Sequence, residues 1–139
     1  MATNTQFSIA VHLMIALGFG CGRQATSTEL AASINTSPSF VRRILAKLSK
    51  ANLVSTTLGK SGSCALAKKP EEISLLEIYS AVDAPKAFAI HDYPVQNNCR
   101  VSCNIEATMT RVLTGAQKSF EENLQETSLA EVIADINCR

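Results

Sequence analysis

The sequence predicts a mainly α fold with a small β-hairpin wing: a winged helix-turn-helix domain followed by a long C-terminal helix. Three observations predict it. Residues 27–50 hold two short amphipathic helices separated by a tight turn. Residues 53–66 hold two strand-like stretches around a glycine turn. Residues 104–126 carry one apolar stripe too long for a small core to cover.

Residues 6–17 read as a helix that is apolar almost all round, a pattern of burial, often against a partner. Gly18, Gly20 and Gly22 end it. Thr26-Ser27-Thr28-Glu29 has the spacing of a capping box and opens a helix from Ser27 to Ser33. Ile34-Asn35-Thr36 turns the chain. Ser37 before Pro38 reads as an N-cap followed by proline at the first helical position, and the helix runs to about Lys50. Val41, Ile44, Leu45 and Leu48 form its core stripe, while Ser39, Arg42, Arg43, Ala46, Lys47 and Lys50 lie opposite.

Leu53 to Leu58 is rich in β-branched residues, and Ser63 to Leu66 returns after the turn Gly59-Lys60-Ser61-Gly62. A hairpin straight after such a helix is a wing, with Lys60 at its tip, and Lys68 and Lys69 extend the basic surface. Ser74 and Glu77 repeat the capping-box spacing and start a helix through about Val82. Residues 84–98 have no strong period. The long helix follows Cys103, with Ile105, Met109, Val112, Leu113, Ala116, Phe120 and Leu124 along one side. A helix from a second subunit is the simplest cover for that stripe. Thr127 or Ser128 caps a last short helix with Leu129, Val132 and Ile133. The expected organisation is residues 1–82 as the winged helix-turn-helix, 83–103 as a cysteine-containing loop, and 104–139 as dimerisation helix and tail.

Composition narrows the function. The chain has 139 residues, the length of one domain, with 46% hydrophobic and 18% charged residues. Trp is absent and aromatics are 5%, so the core must be aliphatic. The net charge of +1 hides an asymmetry. Residues 1–70 carry eight Lys and Arg and a single acid, Glu29, a net +7; residues 71–139 carry five bases and eleven acids, a net −6. A basic half joined to an acidic half suggests a polyanion-binding module tied to a part that stays clear of the polyanion. The second short helix is sized for a DNA major groove. Two ordinary amphipathic helices with a solvated charged face would show the same pattern, and the wing favours DNA.

Phe7–Gly20 is too short to span a bilayer, and no Lys or Arg precedes Arg23, so no membrane segment and no export signal is expected and the chain reads as cytoplasmic. Five cysteines, an odd number, do not suggest a disulfide framework there. Cys99 and Cys103 fall where loop becomes helix. The positive end of such a helix, with Arg100 beside it, favours thiolate, which makes this pair the first candidate for redox or electrophile sensing. Two small residues packed under the loop are the alternative. Cys21 lies in a glycine-flanked turn and is a third redox candidate. Cys64 reads as wing core, Cys138 as exposed. His12 reads as a satisfied core histidine, and neither it nor His91 has a nucleophile constellation, so an enzyme is not expected.

This order of elements resembles the Rrf-two family of dimeric winged-helix regulators, the family of IscR, NsrR and CymR. The resemblance is carried by Phe7-Ser8-Ile9-Ala10-Val11-His12, by Leu30-Ala31-Ala32-Ser33 through Ser37-Pro38-Ser39-Phe40-Val41-Arg42-Arg43-Ile44-Leu45, and by Pro70-Glu71-Glu72-Ile73-Ser74-Leu75-Leu76-Glu77-Ile78. It implies a homodimer, acting as a repressor, on a palindromic double-stranded DNA operator. The candidate DNA contacts are Ser27, Thr28, Ser37, Ser39, Phe40, Arg42, Arg43, Lys47 and Lys60. At the wing, Leu58-Gly59 and Gly62-Ser63-Cys64 replace the family's Arg-Gly and Gly-Gly-aromatic pattern, so Lys60 stands in for its arginine. Cluster-binding members have three loop cysteines; this chain has Cys99 and Cys103. No cofactor is therefore expected. An iron–sulfur cluster on those two thiols, with His91, Asp92 or His12 assisting, is the alternative, and a protein–protein regulatory module of sulfur metabolism is another.

Overall fold

The computed structural model describes residues 4–19, 24–56 and 62–139. Among them are six α-helices, α1 (Gln6–Gly18), α2 (Ser27–Ile34), α3 (Pro38–Lys50), α4 (Leu75–Ala81), α5 (Arg100–Glu126) and α6 (Leu129–Asn137). Three strands, β1 (Ala25–Thr26), β2 (Val54–Thr56) and β3 (Ser63–Leu66), form an antiparallel sheet in the order β1-β3-β2. This is the winged helix-turn-helix, with the long helix running out of it.

The expected caps are present. Thr26 Oγ1 accepts from Glu29 N–H while the Glu29 carboxylate accepts from Thr26 N–H, both at 3.2 Å, which satisfies two donors at the start of α2. Asn35 ends α2 in the left-handed conformation at φ 67°, which asparagine tolerates. Ser37 Oγ then accepts from Phe40 N–H, with Pro38 opening α3. These caps set the tight turn between the two helices.

The core is aliphatic, as the composition requires. Leu13, Met14 and Leu17 of α1, Val41, Ile44 and Leu48 of α3, and Leu53, Ile73, Ile78 and Leu129 form its buried centre. Each such side chain contributes about 1.5–3 kcal/mol by leaving water. Tyr79 is a buried aromatic at the edge of this core, with Phe7 and Phe120 edge-on at 5.5 Å.

Four expectations are corrected. β1 went unforeseen: Ala25 pairs with Cys64 and Thr26 with Ser63, so a third strand flanks the wing. The long helix begins at Arg100, not after Cys103, because the Cys99 thiol itself caps it: Sγ accepts from Ser102 N–H at 3.4 Å. Helix α1 is not buried all round. His12 is exposed, its Nε2 3.0 Å from Ser33 Oγ, on the rim of an open apolar groove of about 910 Å³ lined by Phe7, Val11, Ile15, Phe19 and Ile136. Lys68 does not extend a free basic surface, since Nζ donates to Glu77 at 3.1 Å. The expected strand residues Thr57 and Leu58 and the turn residues Gly59, Lys60 and Ser61 lie outside the described residues.

Candidate nucleic-acid interface

The outer face of α3 is built from Ser39, Arg42, Arg43, Ala46 and Lys50, all exposed, directly opposite the buried stripe Val41, Ile44, Leu45, Leu48. Its three cations carry no acidic partner among the described residues. The two arginines are nevertheless held. Arg42 Nε donates to Ser27 Oγ at the start of α2, at 3.2 Å. The Arg43 guanidinium lies 5.3 Å from the centre of the Phe40 ring, a cation–π contact. Phe40 is half-buried against the core, so it supports Arg43 from below.

The remaining candidates sort around this pair. Thr28 is exposed beside half-buried Ser27 at the open end of α2. Ser37 is occupied as the cap of α3, with its Oγ 3.4 Å from Ser39 Oγ. Lys47, another candidate, is half-buried. It sits on the flank of α3, and its Nζ donates to Gln6 Oε1 of α1 at 3.1 Å, so it ties two helices together. A helical wheel cannot show that, because Gln6 is remote in sequence. Residues the sequence reading left out of the set are Ser49 and Thr56, which with Ser27, Arg42, Ala46 and Lys50 line a groove of about 550 Å³ between α3 and the wing. Lys60, the expected wing contact, is outside the described residues.

Cys64 is buried in the wing, its Sγ donating to Ala25 carbonyl at 3.2 Å, and burial pushes its thiol up from the ordinary value. Cys99 and Cys103 are free and exposed at the start of α5, Cys99 as its N-cap and Cys103 in its first turn. The Cys103 thiol lies 3.7 Å from the carbonyls of Gln96 and Asn97, and Cys99 holds the helix start. Cys138 is exposed, and Cys21 lies outside the described residues. Among the described residues, which do not include Cys21, no three His, Cys, Asp or Glu side chains gather where a metal ion could sit. The His91 and Tyr93 rings lie with centroids 5.9 Å apart, tilted by 38°.

A helix-turn-helix whose second helix shows an unpaired basic face, beside a wing, defines a DNA-binding protein of the winged-helix class. The chain belongs to the Rrf2 family, described as iron-dependent transcriptional regulators, whose family model matches residues 3–135. It is 33% identical over 132 residues to YwnA of Bacillus subtilis, named an HTH-type transcriptional regulator, covering 94% of this chain and 96% of YwnA. It is 27% identical over 137 residues to Rv1287 of Mycobacterium tuberculosis, of the same description, covering 95% and 81%. A transcriptional regulator structure from Lactobacillus plantarum superposes with a TM-score of 0.81 at 26% identity, over 96% of this chain and 90% of that one. IscR of T. potens shares the fold, with a TM-score of 0.70 at 23% identity over 98% and 88%. These relatives are transcriptional regulators and not enzymes. Among the described residues no helix is long and apolar enough to cross a membrane.

Proposed function

We propose that the chain is a homodimeric transcriptional repressor of the cytoplasm, which binds a palindromic DNA operator and releases it when Cys99 or Cys103 reacts with an oxidant or electrophile. The observation that carries the DNA reading is the outer face of α3, where Arg42, Arg43 and Lys50 are exposed with no acidic partner among the described residues. Such a face delivers donors to base edges and charge to phosphates. The acidic half of the chain stays clear of the duplex.

Two uncovered apolar surfaces support the homodimer. Helix α5 is 27 residues long, about 40 Å at the usual rise, and exposes Val101 and Val112 on its stripe. The groove along α1 is open as well. A second copy supplies matching cover for both.

The sensing reading rests on Cys99 being at once exposed and the cap of α5. A bulky adduct on Sγ withdraws the acceptor from Ser102 N–H and frays the first turn. An adduct on Cys103 removes the S–H that faces the Gln96 and Asn97 carbonyls. Either change biases a dimer whose long helices set the spacing of its recognition helices.

The test is operator binding by fluorescence anisotropy, with and without diamide or N-ethylmaleimide, using an operator selected by the wild-type protein. Replacing Arg42 and Arg43 together with Ala abolishes specific binding. The double variant Cys99→Ser, Cys103→Ser keeps binding, because serine also caps helices, and ignores both reagents. Wild-type binding that is indifferent to both reagents overturns the sensing reading, and specific binding that survives loss of both arginines overturns the interface.

A further inference from the structure

Arg42 and Arg43 are neighbours in sequence, yet their surroundings differ in kind. We infer that Arg42 is the specificity-determining residue, reading a guanine with the outer fork of its guanidinium, and that Ser27 is the positioning residue that aims it. This rests on the DNA-binding reading above and adds the base class and the division of labour between the two arginines.

The guanidinium has five N–H donors in one plane. One of them, on Nε, is committed to Ser27 Oγ at 3.2 Å. The four on the terminal nitrogens remain, and the outer two point in parallel along the side chain's axis. Guanine presents two adjacent acceptors in the major groove, O6 and N7. Adenine offers one acceptor beside a donor, and thymine one acceptor beside a methyl group. A fork whose two prongs both donate therefore matches guanine alone in bidentate fashion.

The aim of the fork matters as much as its chemistry. A free arginine side chain loses much rotamer freedom on binding, whereas one already held loses less. Ser27 suits the holding role for a local reason. Thr26 and Glu29 already cap α2 by their mutual hydrogen bonds, so the Ser27 hydroxyl is not required as a cap. Its backbone is fixed by the first turn of α2, packed against α3. Ser27 is also neutral. A carboxylate in its place would hold Arg42 but cancel the charge that draws it to DNA.

Arg43 is held differently. Its partner is the face of Phe40, 5.3 Å from the guanidinium carbon, which leaves its N–H donors uncommitted and its plane unkeyed to any acceptor. That arrangement fixes a positive charge on the outer face of α3 without fixing a fork. Arg43 is thus suited to the phosphate backbone, which asks for charge and not for a base-edge pattern.

The experiment is selection of bound duplexes from a randomised library by the full-length chain, followed by affinity measurements on single-base variants of the selected site. The wild type enriches a motif with a fixed guanine. Arg42→Lys loses discrimination at that guanine by tenfold or more and keeps it at the other positions. Ser27→Ala loses it at the same position by about threefold, while Ser27→Thr, which retains the hydroxyl, restores it. Arg43→Ala weakens binding to every sequence alike and lowers the salt dependence by about one phosphate contact. Arg42→Lys keeping the full guanine preference overturns the inference, as does loss of that guanine with Arg43→Ala. A wild type that binds duplex but shows no guanine in its motif overturns it alone. A wild type that binds no duplex overturns it together with the DNA-binding reading.

Discussion

Ser74 and Ser128, the N-caps of α4 and α6, face each other in a single antiparallel bridge. Leu75 N–H donates to the Thr127 carbonyl at 2.9 Å, and Leu129 N–H donates to the Ile73 carbonyl at 2.8 Å. Each serine hydroxyl also accepts from the glutamate N–H three residues on, and each serine N–H donates to that glutamate's carboxylate. Two helices 54 residues apart in sequence therefore start from one fixed point, and the C-terminal helix is fastened to the winged domain there. Ser74 is buried, and its hydroxyl also lies 3.5 Å from Gln125 Oε1. Ser74→Ala is expected to destabilise the fold by about 1–2 kcal/mol. Ser128→Ala, where water reaches the freed N–H, costs about 0.5–1 kcal/mol. Urea unfolding of both variants checks the order, and an equal or reversed cost removes burial as the reason for the difference.

Tyr79 joins the long helix to the winged domain through its hydroxyl. It donates to the Pro85 carbonyl at 2.6 Å and accepts from Gln117 Nε2 at 3.1 Å, while Gln117 Oε1 accepts from Ala87 N–H at 2.9 Å. Tyr79→Phe keeps the ring contacts to Phe7 and Phe120 and deletes both hydroxyl bonds. The expected cost is about 1 kcal/mol, since exposed Pro85 regains water. A shift of the urea midpoint with unchanged slope would carry that value.

Gly18 is the last residue of α1 and lies where α1, α6 and β3 cross. A Cβ there would come within 2.6 Å of Ile133 Cδ1 and 3.2 Å of Leu66 Cδ1. Ile133 Cδ1 is the far end of a side chain that can swing away, so Gly18→Ala is tolerated at under about 1 kcal/mol. Gly18→Val overfills the crossing and costs about 1–3 kcal/mol. Thermal denaturation of the pair distinguishes crowding, which grows with size, from a backbone requirement, which penalises both alike.

Much of this arrangement is legible in the sequence because it is local. The boundaries of α2 and α3 follow from Thr26, Glu29, Ser37 and Pro38, and the buried face of α3 from the spacing of Val41, Ile44, Leu45 and Leu48. What the sequence hides is non-local or unusual in chemistry. Two residues suffice for β1 because β3 supplies its partner, and Thr26 doubles as strand end and helix cap. The start of α5 is displaced because a thiol performs a task that serine, threonine or aspartate usually performs. The bond from Lys47 to Gln6 joins α3 to α1 across 41 residues of sequence. The positioning of Arg42 by Ser27 is of the same kind, since 15 residues separate them.

Burial separates Cys64 from the exposed thiols. Its folded pKa is raised by desolvation above the ordinary 9.0. The folded state therefore holds the thiol proton more tightly than the unfolded state does. The associated stability is fully present below the unfolded thiol's range and is lost as pH rises through the folded value. Cys64→Ala is expected to flatten the fall in stability above about pH 9 relative to wild type. Under native conditions at neutral pH, N-ethylmaleimide should label Cys99, Cys103 and Cys138 at least about a hundredfold faster than Cys64, because Cys64 is reached only through opening. Peptide mass mapping over time reads both classes, and equal rates would place Cys64 at the surface.

Val112 tests the proposed dimer. It is 47% exposed on the stripe of α5, so it adds little to the fold of one chain, whereas a partner helix would bury it. A lysine there forces a charge into the centre of such an interface, at a cost of several kcal/mol unless it finds a partner. Ala107 is exposed on the opposite side of the same helix and serves as the control. In sedimentation at micromolar concentration, Val112→Lys is expected as a monomer, and wild type and Ala107→Lys as dimers, with all three melting as folded proteins. Operator affinity should fall by about a hundredfold or more for Val112→Lys alone, because a monomer engages one half-site and loses the gain from linked binding. A Val112→Lys protein that remains dimeric would move the interface off this stripe and leave the open groove of α1 as the face that a second copy must cover.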